Sequence, residues 1–162
     1  MRYIIENLSQ KNLKSATVLR DKVFDDLGDD EKDTLIASLY PTKYKSYLQK
    51  HEIESLEYWV LQDVKHSKVV GLIGLYKEYE DESLWVGWFC VAPDYRGLGL
   101  GRKLLDFVVQ KAKTCRKNMR LYTHNSQMYQ KAIKTYKEYG FKPYTPEFKI
   151  DKDELYMQKI TY

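Results

Sequence analysis

Apolar residues in this chain recur with the short period of a strand in some segments and with the longer period of a helix in others, which predicts a mixed α/β architecture. Alternation over residues 3–6 predicts a first strand. Helical spacing then predicts a first helix that ends near Gly28 and a second helix through residues 35–39, which Pro41 breaks or kinks. The N-terminal segment is therefore expected to hold one strand and two helices.

Three apolar runs follow, over residues 56–62, 69–77 and 84–91, and polar turns separate them. Strands joined by short polar turns are typical of an antiparallel meander. The third run is apolar on both predicted faces, so this strand is expected to be central and buried. Its first predicted face carries Leu84, Val86, Trp88 and Cys90, and its second carries Trp85, Gly87, Phe89 and Val91.

The second half of the chain begins with a glycine-rich turn and then alternates between helical and strand patterns. Helices are predicted over residues 100–112 and 128–139, a strand over 120–123, and a closing hairpin over 141–147 and 155–161. Since no linker or repeat divides the chain, a single domain is expected over residues 1–162.

The composition agrees with one domain and disfavours two other classes of protein. A chain of 162 residues can bury about two thirds of its unfolded surface. No apolar run approaches the roughly 20 residues that span a bilayer, and the N-terminus lacks a signal-peptide core, so a soluble cytoplasmic protein without membrane attachment is expected. Cys90 and Cys115 are too few for a disulfide framework, and both are expected to be free thiols.

The net charge of +4 is distributed unevenly along the chain. Residues 1–81 hold 12 Lys and Arg against 15 Asp and Glu, whereas residues 82–162 hold 15 against 8. No basic stripe interleaved with aromatic residues is present, so nucleic-acid binding is not expected. Binding of a small polyanionic ligand near the glycine-rich turn is enough to explain the excess of Lys and Arg in residues 82–162.

The segment richest in candidate chemistry is residues 91–102, Val-Ala-Pro-Asp-Tyr-Arg-Gly-Leu-Gly-Leu-Gly-Arg. Its alternate glycines let consecutive backbone N–H groups point toward one place, and the following helix adds its unpaired N-terminal donors and positive dipole end. An anionic ligand is therefore expected. A nucleotide-hydrolysing loop would need Lys and then Ser or Thr after its second glycine, and this turn has neither in that place. A dinucleotide-binding loop would carry its third glycine at position 102, which is Arg102 here. The turn therefore matches neither of these two kinds of nucleotide site.

This turn, read as Val-x-Pro-x-x-Arg-Gly-x-Gly-x-Gly after a strand, resembles the acetyl-CoA pyrophosphate loop of the GNAT superfamily of N-acetyltransferases. Further on, Tyr136 followed by three residues and Gly140-Phe141 resembles the end of that family's last helix. The resemblance covers residues 57–159. It implies an α/β (α+β) fold with a mixed, mostly antiparallel central sheet of about six to seven strands, flanked by about four helices and splayed between the fourth and fifth strands.

The resemblance also divides the single domain by role. Residues 1–55 would shape the acceptor site, residues 56–125 would hold the meander, the cofactor loop and its helix, and residues 126–162 would hold the last helix and the hairpin. The pantetheine arm of acetyl-CoA would enter the splay and bond to the backbone of Phe89, Cys90 and Val91, with the Val91 N–H near the thioester carbonyl. Gly87 either marks a bulge that opens the splay or accommodates Trp85 or Trp88.

The implied pyrophosphate site uses mainly backbone donors. The residue that matches the family's Arg/Gln position is Arg96, and the candidate N–H donors are those of Gly97, Leu98, Gly99, Leu100, Gly101 and Arg102. The side chains of Arg102 and Lys103 either meet the 3′-phosphate or adenine end of the cofactor, or are solvated.

Tyr136 occupies the position of the family's tyrosine acid, which protonates the departing thiolate. Tyr129 stands where the family commonly has an asparagine that contacts pantetheine. Either Tyr129 lies at the cofactor in another role or Asn125 serves instead, while capping of a helix by Asn125 or Ser126 is the alternative for that segment.

A general base is not specified by the sequence. The candidates are Glu57, Glu78, Glu82, His124 and a water molecule. No His, Cys or carboxylate spacing is typical of a metal site, so no metal is expected. Direct transfer without an acetyl-enzyme is expected because Cys90, on an apolar strand, should have a raised pKa.

The acceptor is an amine of unspecified kind. The acidic stretch over residues 25–31, with Tyr40, Tyr44 and Tyr47, either attracts a cationic amine or serves helix capping and solubility. The function expected from the resemblance is acetyl transfer from acetyl-CoA to a primary amine of a small molecule, peptide or protein. The alternative is a non-catalytic module that senses acyl-CoA, and a homodimer is left open.

Overall fold

The structure is a computed structural model that describes residues 2–24, 28, 31–147 and 151–161. The strands are β1 (Tyr3–Asn7), β2 (Ile53–Asp63), β3 (Lys68–Glu78), β4 (Leu84–Val91), β5 (Met119–His124), β6 (Lys142–Pro143) and β7 (Glu154–Lys159). The helices are α1 (Leu13–Val23), α2 (Thr34–Leu39), α3 (Lys45–Lys50), α4 (Leu100–Thr114) and α5 (Gln130–Glu138). No helix in the described ranges has the length and apolar character that crossing a membrane requires.

The seven strands form one sheet in the order β1-β2-β3-β4-β5-β7-β6. Every neighbouring pair is antiparallel except β4 and β5, which run parallel. The predicted meander of β2, β3 and β4 and the mixed, mostly antiparallel sheet are thus confirmed. Pro41 lies between α2 and α3, so the predicted second helix is broken rather than kinked.

Strands β4 and β5 separate soon after they begin. They pair only at Leu84 with Met119 and at Trp85 with Arg120, whereas β5 pairs with β7 along all six of its residues. Beyond Trp85, the side of β4 that faces β5 therefore has no neighbouring strand within the described part of the chain. This separation is the predicted splay between the fourth and fifth strands.

The expectation that β4 is buried was wrong for most of its length. Trp85 and Cys90 are buried, but the other six residues of the strand are half-buried. The cause is the splay, because a strand that loses one neighbour exposes that edge and part of its faces to the opening.

A bulge in β4 also overturns the predicted faces of this strand. Gly87 pairs with Gly74 and Cys90 pairs with Leu72, so Trp88 and Phe89 together oppose the single residue between those partners on β3. The Trp88 Nε1 donates to Thr34 Oγ1 of α2 at 2.7 Å, while the Phe89 ring lies 6.1 Å from Tyr136 of α5. Trp88 therefore lies on the same face as Trp85 and Gly87, not on the face predicted from strict alternation.

Gly87 has two structural reasons to be glycine. It directly precedes the bulge, as one of the two sequence interpretations proposed. A Cβ at this position would lie 2.9 Å from the hydroxyl of Tyr58 on β2, so the space is needed by Tyr58 rather than by Trp85 or Trp88.

Helices cover the two faces of the sheet unequally. Helix α4 packs on one face, where Leu104 approaches Gly71 and Phe107 lies 5.3 Å from Trp59. Helices α1 and α2 pack on the opposite face, against Trp88 and its neighbours. The core extends through both layers.

The end of the chain departs from the predicted hairpin. The strand expected over residues 141–147 is reduced to Lys142–Pro143, since Pro143 and Pro146 have no N–H groups with which to extend a ladder. The predicted helix over residues 128–139 begins instead as a 3₁₀ turn, Gln127–Tyr129, and continues as α5 until Gly140, whose φ of 85° ends it.

Candidate active site

The glycine-rich turn before α4 has the geometry of an anion site. Gly97 and Gly99 have φ values of 81° and 74°, in the left-handed region that other residues avoid. A Cβ at either position would meet nothing within 4 Å, so open space lies above the turn. Among the described residues, no protein group accepts a hydrogen bond from the N–H groups of residues 97–102. These donors are available to a ligand.

The start of this turn is fixed to β4 and to β2. Arg96 Nε donates to the Val91 carbonyl at 3.1 Å, which closes the turn onto the strand end. The Tyr95 hydroxyl donates to the buried carboxylate of Asp63 at 3.1 Å. His66 Nδ1 lies 2.6 Å from the same carboxylate, and this hydrogen bond is the main cause that lowers the pKa of Asp63. The turn is thus held by contacts outside its own sequence.

The side chains of Arg102 and Lys103 are engaged elsewhere. Arg102 forms an ion pair with Glu138 and lies 5.9 Å from the centre of the Tyr139 ring, which connects α4 to α5. Lys103 Nζ donates to the Tyr3 carbonyl at 2.7 Å. The contacts of both side chains are thus with other parts of the chain, those of Arg102 with α5 and its end and that of Lys103 with β1.

The register of β3 and β4 decides which backbone groups of β4 face the splay. The Ala92 N–H donates to the Val70 carbonyl at 2.8 Å. Since hydrogen-bonded and non-hydrogen-bonded pairs alternate in an antiparallel ladder, Cys90 turns its backbone groups toward β3 and Val91 turns its own away from β3. The bond from Arg96 to the Val91 carbonyl agrees with that direction. Of the predicted backbone contacts, that of Val91 therefore has the clearest geometry.

Cys90 is buried beneath this opening, with 6% of its surface exposed. Burial raises the pKa of its thiol to about 12, although the nearby charges of Arg96 and Arg20 act in the opposite direction. The expected raised pKa is confirmed. Both Cys90 and the exposed Cys115 are free thiols, as predicted.

Tyr136 of α5 faces the end of β4. Its ring centre lies 6.1 Å from that of Phe89 and 6.1 Å from that of Phe141, and 8% of its surface is exposed. Burial raises the pKa of Tyr136 above its ordinary value, and the neighbouring Tyr129 adds to the effect. The structure thus places Tyr136, Tyr129 and Phe89 together at the splay. The Phe89 ring also lies beside α4, because a Cβ on Gly101 would be 3.5 Å from it.

The other residues considered near Tyr129 have clear positions. The ring of His124, at the end of β5, lies 5.7 Å from that of Tyr129. Asn125 donates its backbone N–H to the Asp153 carbonyl at 3.1 Å. Ser126 precedes the 3₁₀ turn but makes no capping bond through its side chain, so the predicted side-chain cap is not seen there.

The candidate bases differ in position. Glu82 is 80% exposed and forms an ion pair with Lys117 beside the paired ends of β4 and β5, away from Val91. Glu57 is exposed on β2, and Glu78 is buried at the end of β3. The ring of His124 contacts that of Tyr129, which in turn is a neighbour of Tyr136. In the ranges that the structure describes, no three His, Cys, Asp or Glu side chains come close enough to hold a metal ion.

Sequence reasoning missed an aromatic wall on the face opposite α4. Its four rings, which we call the aromatic wall, come from strands far apart in the chain, namely those of Tyr76, Trp85, Tyr122 and Tyr156. Trp85 lies 6.2 Å from Tyr76, 6.4 Å from Tyr122 and 6.5 Å from Tyr156. Tyr122 is 46% exposed, so the wall opens to solvent there.

Carboxylates surround the exposed part of this wall. Partial burial, together with the negative charges of Glu154, Glu31 and Glu78, raises the pKa of Tyr122 to about 12. The Tyr156 hydroxyl donates to Glu154 Oε2 at 2.6 Å. The wall therefore joins π faces to negative charge, a combination that attracts cations.

The residues first considered for the acceptor are placed differently. Asp25, Asp26, Leu27, Asp29 and Asp30 lie outside the described residues. Tyr44 and Tyr47 pack on a small cluster of Ala37, Leu48 and Ile53, which gives them a structural role, and Tyr40 is 38% exposed. Of the acidic stretch, Glu31 is near the aromatic wall.

Comparison with known proteins gives a consistent result. The model of the acetyltransferase (GNAT) family matches residues 21–141. Over 74 residues the chain is 30% identical to the spermine/spermidine N(1)-acetyltransferase of Bacillus subtilis strain 168, a match that covers 43% of this chain and 49% of that protein. The chain thus spans about half the length of the curated relatives it matches.

Solved structures agree in fold. An acetyltransferase of the GNAT family from Staphylococcus aureus superposes with a TM-score of 0.77 at 18% identity, covering 99% of this chain and 100% of that one. The spermidine N-acetyltransferase of Vibrio cholerae, solved with CoA and spermine, gives a TM-score of 0.68 at 18% identity, covering 98% and 95%. At these identities the likeness establishes the fold.

Proposed function

Because this chain belongs to the acetyltransferase (GNAT) family, we propose that it transfers an acetyl group from acetyl-CoA to a primary amine, directly and without an acetyl-enzyme. One observation carries the proposal. The open side of β4 leads into a turn whose six N–H donors have no partner among the residues that the structure describes, and the phenol of Tyr136 stands beside that opening. Such a site fits an extended ligand that carries phosphates at one end and a reactive group at the other.

The residues of the chain supply binding, polarisation and a proton. The thioester of acetyl-CoA, when bound, supplies the activated acetyl group. The turn over residues 97–102 binds the pyrophosphate through its N–H groups, with Arg96 bracing the turn. The Val91 N–H, directed away from β3, donates to the carbonyl oxygen as negative charge develops on it. Tyr136, kept protonated by its raised pKa, donates a hydrogen bond and then its proton to the thiolate as the C–S bond breaks. The amine nitrogen, which forms the new C–N bond, loses its proton to water, and the Tyr136 phenolate regains a proton from water.

The first experiment measures thermal melting with acetyl-CoA, CoA and NAD. A ligand present at about 100 times its dissociation constant adds roughly 2.7 kcal/mol of stability, which corresponds to about 5 to 10 °C for a chain of this size. We expect a shift with both CoA forms and none with NAD. No shift with either CoA form would contradict the proposal, and binding without thiol release in the presence of any amine would favour a module that senses acyl-CoA.

For the acceptor, we infer an amine that carries more than one positive charge. Two observations support it: the aromatic wall with its carboxylates, and the similarity to two B. subtilis proteins, a probable spermine N(1)-acetyltransferase and a spermine/spermidine N(1)-acetyltransferase. A polycation gains both cation–π and Coulomb attraction at such a surface.

Thiol release with spermine, spermidine and butylamine tests this inference. Butylamine is the control because it offers a primary amine with one charge. We expect kcat/KM for spermidine to exceed that for butylamine about 10-fold or more at low salt and the ratio to fall with salt, because screening weakens exposed charge pairs. Equal kcat/KM values for spermidine and butylamine would leave the acetyltransferase proposal intact and would contradict the inference that the acceptor is a polycation.

The organisation of the chain is proposed on the same basis. We propose one catalytic domain over residues 1–162, in which residues 1–55 shape the acceptor side. Its two free thiols fit a reducing cytoplasm. Whether two copies associate is decided by sedimentation at micromolar concentration.

A further inference from the structure

A buried charge on α1 has no part in the proposed chemistry. Arg20 is 1% exposed, and its guanidinium donates through Nη1 to the Lys32 carbonyl at 2.9 Å and through Nε to Asp21 Oδ1 at 3.0 Å. The guanidinium carbon also lies 5.8 Å from the centre of the Trp88 ring. Burial of a charge costs free energy. A buried arginine is therefore expected to have a role in hydrogen bonding that an apolar side chain at the same position would not fill. What it does here is join the segment before α2 to the bulge of β4.

The second member of this arrangement is Thr34, the first residue of α2. Its Oγ1 accepts a hydrogen bond from Trp88 Nε1 at 2.7 Å and donates to the Glu31 carbonyl at 3.1 Å. The Tyr58 hydroxyl also lies near Thr34, whose side chain acts to lower the pKa of Tyr58 against the opposing effect of burial. A hydroxyl has one donor and two acceptor sites, so the donor and one acceptor site of Thr34 are used by Glu31 and Trp88. We call Arg20, Thr34, Tyr58 and Trp88 the Thr34 network.

The network ends at the place where β4 changes its register. Trp88 is one of the two bulged residues, and the Tyr58 hydroxyl lies over Gly87, the residue before the bulge. The bulge is followed directly by Cys90 and Val91, at the proposed acetyl site. On its other side the network holds the Lys32 and Glu31 carbonyls, and the Glu31 side chain lies near the aromatic wall. The Thr34 network thus lies between the two proposed substrate sites, and its link to the aromatic wall is the charge of the nearby Glu31 side chain.

We infer that the Thr34 network positions residues 31–34 against the β4 bulge, so that binding of acetyl-CoA along β4 strengthens binding of the amine. This inference rests on the proposed function. Arg20 and Thr34 are positioning residues that act through Trp88 and Glu31. Because the coupling of two binding sites is reciprocal, the amine must strengthen acetyl-CoA binding by the same factor.

A matched pair of variants tests the hydroxyl itself. Thr34→Val keeps the shape and removes the hydrogen-bonding group, while Thr34→Ser keeps the group. We expect T34V to raise the amine KM about 10-fold with the acetyl-CoA dissociation constant unchanged within about twofold, and T34S to behave as the wild type. Thr42→Val, on the exposed turn after α2, is the control for a Thr to Val change. A lower melting temperature in T34V with an unchanged amine KM would overturn the inference.

Hydrogen exchange tests the network without turnover. Acetyl-CoA should slow exchange of the amides of residues 31–39 in the wild type and in T34S but not in T34V. Equal protection in T34V, or acetyl-CoA binding without protection of residues 31–39 in the wild type, would overturn the inference while leaving the proposed function standing. Failure of acetyl-CoA to bind at all would overturn the proposed function itself. If T34V does not fold, Trp88→Phe replaces it, because that change keeps a ring and removes the Nε1 donor.

Discussion

The two faces of the sheet present different kinds of binding groups. On the α4 side, the glycine turn offers backbone N–H groups, and its shape depends on Gly97 and Gly99, close together in the chain. On the opposite side, the aromatic wall offers rings and carboxylates that come from β3, β5, β7 and the segment before α2. The first face is built by local conformation and the second by tertiary packing.

This difference has a consequence for evolution and for experiment. A backbone site tolerates many side chains provided the conformation survives, so it suits a ligand that stays the same. In a site made of side chains, a single substitution on any of the contributing strands can change which ligand the site prefers. Such a site suits a substrate that differs from one protein to another. Variants of the two faces should therefore affect different kinetic constants.

The largest effect is expected at Tyr136, which lies beside the splay. Tyr136→Phe should lower kcat about 100-fold or more while the acetyl-CoA dissociation constant stays within about twofold, because it removes a proton donor and keeps the ring. Since its pKa is raised, Tyr136 remains protonated in mildly alkaline solution, and the wild-type kcat should not fall up to about pH 9.5. Turnover and calorimetric titration check both points; an unchanged kcat would remove Tyr136 as the acid.

The next effect separates conformation from space in the glycine turn. Gly99→Ala should weaken acetyl-CoA binding about 10-fold and cost about 1 kcal/mol of stability, because its φ of 74° strains any side chain. Gly101→Ala is the matched control, since its Cβ would make only an ordinary contact of 3.5 Å with Phe89. Gly101→Ala should change the dissociation constant for acetyl-CoA by no more than about threefold and should stabilise α4 by about 0.5 kcal/mol. Equal loss of affinity in both variants would show that the ligand packs directly on Gly101.

A smaller effect is expected on the acceptor face. Glu154→Gln should raise the spermidine KM about threefold to 10-fold and leave acetyl-CoA binding unchanged, because it removes one negative charge near Tyr122 and preserves an acceptor for Tyr156. Glu80→Gln, on the turn before β4, controls for overall charge. Should both variants change KM equally, attraction would come from the net field of the protein rather than from the aromatic wall.

The smallest effect is expected at Cys90. With a thiol pKa of about 12, the thiolate fraction near pH 7 is about one part in 10⁵, so Cys90 is a poor nucleophile. Cys90→Ala should retain turnover within about threefold, with a melting temperature lower by a few degrees because of the lost packing. Near-total loss of turnover in a folded C90A protein would contradict direct transfer.

The backbone of the cofactor side was predictable from the sequence. The bounds of β4 agree with the predicted residues 84–91, and the splay beyond it was expected from the resemblance. The bounds of β4 follow from a local signal, a long apolar run, whereas the splay was implied by the family resemblance alone. The effect of the bulge on side-chain direction could not be predicted from the sequence. Strict alternation placed Trp88 on the wrong face of the sheet, and the hydrogen bond from Trp88 to Thr34 shows which face it occupies.

The acceptor side was largely beyond sequence reasoning. Tyr76, Tyr122 and Tyr156 each fit an ordinary strand, and their meeting around Trp85 depends on the order β3-β4-β5-β7. Tyr44 and Tyr47 were expected as candidates because they lie near the acidic stretch, but they pack in a small core. A chain with many tyrosines contains no local signal that distinguishes a core ring from a binding ring.

The separation of β4 from β5 also bears on aggregation. A strand with one unpaired edge and apolar residues such as Val86 and Phe89 is a template for pairing with a strand of another molecule. Proteins ordinarily protect such an edge with lysines, prolines or a covering loop. We expect a ligand bound along this edge to block such pairing, so purification and storage with CoA should suppress precipitation on warming.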